Sequence, residues 1–179
     1  MTENSLNPNI LLKIKTLAYY QIAGGVVGLI FTIPFFIMVI SSSGSLFLVT
    51  LIFAFLFLFS AFCGQQLLKG KIERGLKLST INQAFQIFSF AFAGYSFVFT
   101  AGIYMGVSID LTEHTLFLFN FSLPEMHLNF NSDSKELMVG INFVAAYFIY
   151  FIDKLQKKIA LDQELFFASK KAQEELKKS

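Results

Sequence analysis

The feature that most constrains this chain is where its charges are not. Four segments contain no Asp, Glu, Lys, Arg or His: Leu17–Ile40, Leu46–Leu68, Ser79–Ser108 and Leu137–Ile152. A helix needs about 20 apolar residues to cross roughly 30 Å of hydrocarbon. The first three segments exceed that length. The fourth falls short and borrows Lys135–Glu136 and Asp153–Lys154 at its ends, where charged heads can reach the headgroups. Only 15% of the 179 residues are charged, against about 25% in a soluble domain. Lipid rather than water is therefore the expected solvent. The apolar run of the first segment is longer than the roughly 7–15 residues of a signal peptide core, and Ser41–Ser45 reads as a tight turn between two helices.

These observations predict an all-α integral membrane fold: a four-transmembrane-helix bundle with a small extracytoplasmic β-hairpin between helices 3 and 4 and a cytoplasmic C-terminal helix. Residues 1–152 form the membrane domain, with spans at 17–40, 46–68, 79–108 and 137–152. Residues 153–179 form the tail. Charge sets the orientation. With the amino terminus inside, every one of the 14 basic residues except Lys135 falls on the inner side, as the positive-inside rule requires. Both termini are then cytoplasmic, and the expected location is the plasma (inner) membrane.

The hairpin is read from residues 115–131. Phe117, Phe119, Phe121 and Leu123 alternate, and after Pro124 so do Met126, Leu128 and Phe130. A period of two marks a strand with one covered face. The odd and even sets fall on one side if the strands pair through an even loop such as Leu123–Met126. Phe117, Phe119, Phe121, Leu128 and Phe130 then make a candidate interaction surface. It either caps the helix ends or meets another protein or a second copy.

Small residues mark expected helix-packing positions. They are Gly24, Gly25 and Gly28 in the first span, and Ala84, Ala91, Gly94, Ala101, Gly102 and Gly106 in the third, where they let backbones approach closely. Polar residues Gln65, Gln66, Asn82, Gln83 and Gln86 gather at the inner ends of spans two and three. Lys69, Lys71, Arg74 and Lys77 sit in a short loop suited to anchoring on anionic headgroups. The tail continues the fourth helix, with Asp153/Lys157 at i,i+4 spacing.

Chemistry leaves little trace. No charged residue lies in a span, which argues against ion-coupled transport and proton relays. The single cysteine, Cys63, excludes an internal disulfide and a CxxC site. Asp110, Glu113, His114, Glu125 and His127 lack metal-ligand spacing, and neither a catalytic serine motif nor a nucleic-acid motif occurs. The expected function is that of a non-enzymatic accessory, scaffold or assembly protein without a cofactor. Its partners are the bilayer and either a membrane or extracytoplasmic protein or a homo-oligomer. The alternative is a small oligomeric transporter or channel for a neutral solute.

Overall fold

The computed structural model describes residues 6–39, 44–112, 115–129 and 136–176. Helix α1 (Pro8–Val39) starts at an Asn7–Pro8 pair. The Asn7 side-chain oxygen accepts from the Asn9 amide at 2.9 Å, and proline at the first helical position needs no donor. Helix α2 (Gly44–Leu68) packs antiparallel on α1. Glycine makes that approach possible: a Cβ on Gly25 would lie 2.6 Å from the Phe57 carbonyl oxygen, and one on Gly64 would collide with that of Ala18. The segments Pro8–Ile37 and Phe47–Leu68 are long and apolar enough to cross a membrane.

Helix α2 ends at Gly70, whose φ of 73° lets the amides of Gly70 and Lys71 bond back to Leu67 and Gln66, a left-handed helix terminus. Helix α3 (Ile72–Ile87) then runs directly into strand β1 (Phe88–Phe92), with Phe88 already extended at φ −103° and ψ 134°. Strands β2 (Tyr95–Thr100), β3 (Tyr104–Asp110), β4 (Leu116–Ser122), β5 (Glu125–Asn129) and β6 (Met138–Asn142) follow, and then helix α4 (Phe143–Leu176). The β1–β2 turn is Ala93–Gly94, with φ of 50° and 83°, the two-residue hairpin geometry that matches strand twist. Asn142 closes β6 and caps α4, its side-chain oxygen accepting from the Val144 and Ala145 amides at 3.0 and 3.4 Å.

The six strands form one sheet in the order β4-β3-β6-β1-β2-β5, with every pair antiparallel. Its edges, β4 and β5, are neighbours in sequence, joined only by Leu123 and Pro124. A flat sheet of six strands would hold its edges about 24 Å apart. Three Cα steps from Ser122 to Glu125 span at most about 11 Å. The sheet must therefore curl until its edges nearly meet at that link, where the Ser122 hydroxyl donates to the Glu125 carboxylate at 2.7 Å.

Two cores result. At the end holding the chain's amino terminus, Ile10, Ile14 and Leu17 of α1 pack with Leu67, Leu76, Ile152, Leu155 and Ile159. Further along, Phe53 and Phe57 of α2 pack with Phe99 and Ala101, beside Leu29, Phe97, Met126 and Leu128.

This architecture overturns the all-α, four-transmembrane-helix bundle expected from the sequence. The charge-free stretch 79–108 is not one helix: it breaks at Ile87/Phe88 and continues as β1, β2 and most of β3. The stretch 137–152 likewise divides into β6 and the first turns of α4. Absence of charge reports the solvent a segment suits, and a strand suits an apolar solvent as well as a helix does. The expected hairpin is also corrected. β4 and β5 are strands on the predicted residues, but they pair with β3 and β2. Same-face parity is satisfied by those partners as well as by a hairpin, and the partners were hidden inside an apparent span.

Candidate functional site: an inverted sheet over a polar spine

Directly paired residues of an antiparallel sheet point to the same face, so the register separates the two faces. One face carries Phe117, Phe119 and Phe121 of β4, opposite Ile109, Val107 and Met105 of β3. It continues through Val139 and Ile141 to Phe90 and Phe88, then to Phe97, Phe99, Leu128 and Met126. The other face carries Asn120 and Ser122, then Tyr104, Gly106 and Ser108, then Gly140 and Asn142. Ser89, Ala91, Ser96 and Thr100 lie on it too, with Leu116, Leu118, Asp110, Met138, Val98 and His127 toward its margins.

The small and polar face is the inner one. Ser89, Ser96, Thr100, Tyr104, Ser108 and Asn142 are buried. Phe117, Phe119 and Phe121 are 65%, 83% and 70% exposed, and Phe88, Phe90, Phe92, Met105, Val139 and Ile141 are exposed beside them. Gly140 keeps the interior open to its neighbours, since a Cβ there would strike the Ser89 hydroxyl and come within 2.8 Å of that of Ser108. Among the described residues, the covered part of the apolar face is that of β2 and β5. Phe53 stacks on Phe97 and Phe99 with centroids 6.4 and 6.2 Å apart, and Phe57 lies 5.2 Å from Phe99.

Helix α3 repeats the inversion. In its second half Ser79, Asn82, Gln83 and Gln86 are buried, while Ile81 and Phe85 are exposed; its first half keeps the ordinary order, burying Ile72 and Leu76 and exposing Glu73, Arg74 and Lys77. The buried side joins a polar spine. The Ser79 hydroxyl donates to the Gln21 side-chain oxygen at 3.0 Å, and the Asn82 amide donates to the Ser60 hydroxyl at 3.1 Å. The Ser60 hydroxyl in turn donates to the Gln21 carbonyl at 3.2 Å. Gln86 ends the spine by accepting from the Ala101 amide at 2.9 Å, at the foot of the sheet. Several buried atoms along it and on the inner face of the sheet find no hydrogen-bond partner among the described residues: Gln21 Nε2, both side-chain heteroatoms of Gln83, Asn82 Oδ1, Thr100 Oγ1, Ser96 Oγ and Asn142 Nδ2.

At the far end of the sheet, Thr112 donates to Asp110 from its hydroxyl at 2.6 Å and from its amide at 2.9 Å. These bonds hold the Asp110 carboxyl below the usual range. At the opposite end of the molecule, the Lys77 ammonium lies 2.9 Å from Glu73 and lowers its pKa. Asp153 raises that of Lys157 from 2.7 Å away. Lys71, Arg74 and Lys77 line a cleft of about 920 Å³ between α3 and α4, floored by Ile72, Leu76, Ile159 and Phe167. Lys69 is exposed in the turn before it.

The small residues singled out in the sequence do not form one seam. Gly24 and Gly28 are spent inside the chain: a Cβ on Gly24 would lie 2.6 Å from the Ala101 carbonyl oxygen, and one on Gly28 would enter the Phe57 ring. Gly25 meets α2, as above. Ala84 is exposed on α3, Ala91 lies in β1, Gly94 in the β1–β2 turn, Ala101 and Gly102 between β2 and β3, and Gly106 in β3. The helical seam expected for the last five of these is therefore corrected, because there is no helix beyond Ile87 to carry it. Leu128 belongs to the half-covered part of the apolar face, and Phe130 lies outside the described residues.

Sequence reasoning missed the inner face altogether. Its signal was the alternation Phe88-Ser-Phe-Ala-Phe92, followed by a Gly94 turn and Tyr95-Ser-Phe-Val-Phe99, which is a hairpin pattern written within an uncharged run. Tyr104 carried no comparable local signal, because its burial depends on the curl of the whole sheet. No known protein family, curated protein or solved structure matches this chain.

Proposed function

We propose that this chain is a membrane-integral, non-enzymatic accessory or assembly protein of the plasma (inner) membrane. It docks onto a membrane-embedded partner through the outward aromatic face of β4 and the edge of β4 that pairs with no second strand among the described residues. The observation that carries the reading is the inversion: the centre of the sheet and the second half of α3, from Ser79 to Gln86, bury Ser, Asn, Gln and Gly and expose Phe, Ile and Val. In water this arrangement would be strongly disfavoured, since each buried Phe or Ile side chain gains about 1.5–3 kcal/mol. In hydrocarbon the preference reverses, and polar groups must be collected inside.

Two crossings, α1 and α2, leave the start of α1, the Lys69–Lys71 turn with the first turns of α3, and the tail on one side. Basic residues cluster there, and the positive-inside rule makes that side cytoplasmic. The edge of β4 supports docking. An unpaired strand edge cannot remain bare in lipid, and main-chain pairing with an added strand is a common means of recognition. Replacing Phe119 with the photo-crosslinking residue p-benzoylphenylalanine in native membranes tests this. Protein adducts are expected on illumination. Adducts to lipid alone would overturn the docking role, and release of the protein by alkaline carbonate would overturn the membrane reading.

One observation favours a second reading, a conduit for a small neutral solute. The unpartnered amides and hydroxyls of Gln21, Asn82, Gln83 and Thr100 are groups that would hydrogen-bond such a solute, because buried polar atoms are otherwise almost always paired. Solute flux through liposomes holding the purified protein, abolished by Gln83→Leu, would favour it over docking.

A further inference from the structure

A second basic cleft has a simpler composition than the one beside Arg74. It measures about 280 Å³ and lies between α1 and α4, lined by Lys13, Lys154 and Lys158, with Tyr147, Tyr150, Phe151 and Leu155 above and between them. Three cations converge, and no carboxylate is among the lining residues. On the same helix Asp153, next to Lys154, is held by Lys157 at 2.7 Å, and Asp162, one turn beyond Lys158, accepts from the Asn7 amide at 3.3 Å. In the larger cleft, by contrast, Glu73 lies within the lining and pairs with Lys77. Like charges brought together without a counter-charge repel one another, so this cleft is built for an anion.

The remaining lining says which anion. Residues 143, 147, 150, 154 and 158 fall on one face of α4 at helical spacing. That face passes from exposed Phe143 and Tyr147 through Tyr150 to the two lysines. The Lys154 ammonium sits 5.9 Å from the centre of the Tyr150 ring. Apolar residues, then tyrosine, then lysine is the order in which a helix leaves a bilayer, with aromatic rings at headgroup depth. We infer that the Lys13–Lys154–Lys158 cleft binds the headgroup phosphate of an anionic phospholipid, whose acyl chains run up α4 along Tyr147 and Phe143. The inference rests on the membrane reading above. A cleft of this size holds a phosphate and its glycerol but not the chains, which the exposed apolar face above it accommodates. Basic pockets between helices on the cytoplasmic side are suited to such headgroups.

The test uses the full chain purified in a neutral detergent. Thermal unfolding is followed while phosphatidylglycerol, phosphatidylcholine or inorganic phosphate is added at matched concentration. Phosphatidylglycerol alone is expected to raise the midpoint. In the triple variant Lys13→Gln, Lys154→Gln, Lys158→Gln its apparent affinity is expected to fall at least tenfold. A control variant loses the same number of charges at Lys170, Lys171 and Lys177, far beyond the cleft along the sequence, and is expected to keep that affinity.

Equal stabilisation by phosphatidylcholine, or an equal loss in the control variant, overturns the site. Equal stabilisation by inorganic phosphate assigns the cleft to free phosphate and overturns the lipid. If the triple variant fails to fold, Lys158→Gln alone is read by native mass spectrometry. It must then carry less bound phosphatidylglycerol than the parent chain, and equal occupancy overturns the inference. A chain that needs no detergent to stay in solution would instead defeat the membrane reading, so the two failures are told apart.

Discussion

At the scale of single residues, glycine decides where elements touch. Gly24 faces main chain: the Ala101 carbonyl oxygen is 2.6 Å and the Gly102 amide nitrogen 3.0 Å from where its Cβ would stand. Backbone cannot swing aside as a side chain can, so Gly24→Ala must push α1 away from the β2–β3 link. Overpacking of this kind costs about 1–3 kcal/mol. Ala84, by contrast, is exposed on α3, and Ala84→Leu is expected to stay within about 0.5 kcal/mol of the parent. Thermal unfolding of both variants in one detergent checks the pair. The sequence placed both residues among close-packing positions, and only the fold separates them. Sequence spacing identifies a small residue but not the backbone it faces, and Gly24 and Ala101 are far apart along the chain.

At the scale of elements, legibility followed periodicity. α1 and α2 cover the first two uncharged runs as far as Val39 and Leu68, although α1 starts back at Pro8, and β4 and β5 carry the alternating residues, although β5 starts at Glu125 inside the expected Leu123–Met126 loop. The sheet's centre was illegible for a physical reason. β1, β6 and β3 as far as Ile109 are apolar on the outside and mostly small or hydroxyl-bearing on the inside, so up to Asp110 they carry no charge on either face, and an uncharged stretch of that length also satisfies the criterion for a span. Strand order was out of reach as well: β6 enters between β1 and β3 from the far end of the sequence, a choice set by long-range pairing. The face assignment makes a sharp prediction at adjacent positions of β4. Phe119 points out and is 83% exposed, so Phe119→Lys in a bilayer places an ammonium in hydrocarbon, at about 2–4 kcal/mol near mid-depth. Asn120 lies on the opposite face, itself exposed, and donates to the Ser108 hydroxyl at 3.0 Å, so Asn120→Ala is expected to cost only about 1 kcal/mol. Denaturant unfolding of both variants from liposomes measures the contrast. A neutral or stabilising Phe119→Lys would mean that this face meets water.

At the scale of the whole molecule, the fold is a device for holding polar atoms inside an apolar coat. The spine from Gln21 to Gln86 continues without a break into the inner face of the sheet at Ala101, and α1 and α2 cover only one side of that column. The same geometry sorts the ends. Lys13, Lys69, Lys71, Arg74, Lys154 and Lys158 gather around the base where α1 begins, α2 turns and α4 leaves the sheet. Asp110 and Thr112 sit at the other end, tied to Leu137 by the bond from the Leu137 amide to the Thr112 hydroxyl at 3.1 Å and by that from the Leu111 amide to the Leu137 carbonyl at 2.7 Å. Positive charge at the base opposes its export across the membrane, so the two ends should open to opposite compartments. Single cysteines at Lys71 and Thr112 report this with an impermeant thiol reagent applied to intact cells. The background is low, because the one native thiol, Cys63, is buried. Thr112→Cys is expected to react from outside and Lys71→Cys only after the membrane is opened. Labelling of both from the same side would leave α1 and α2 unable to be a pair of crossings, and the apolar coat would then have to be covered by protein alone.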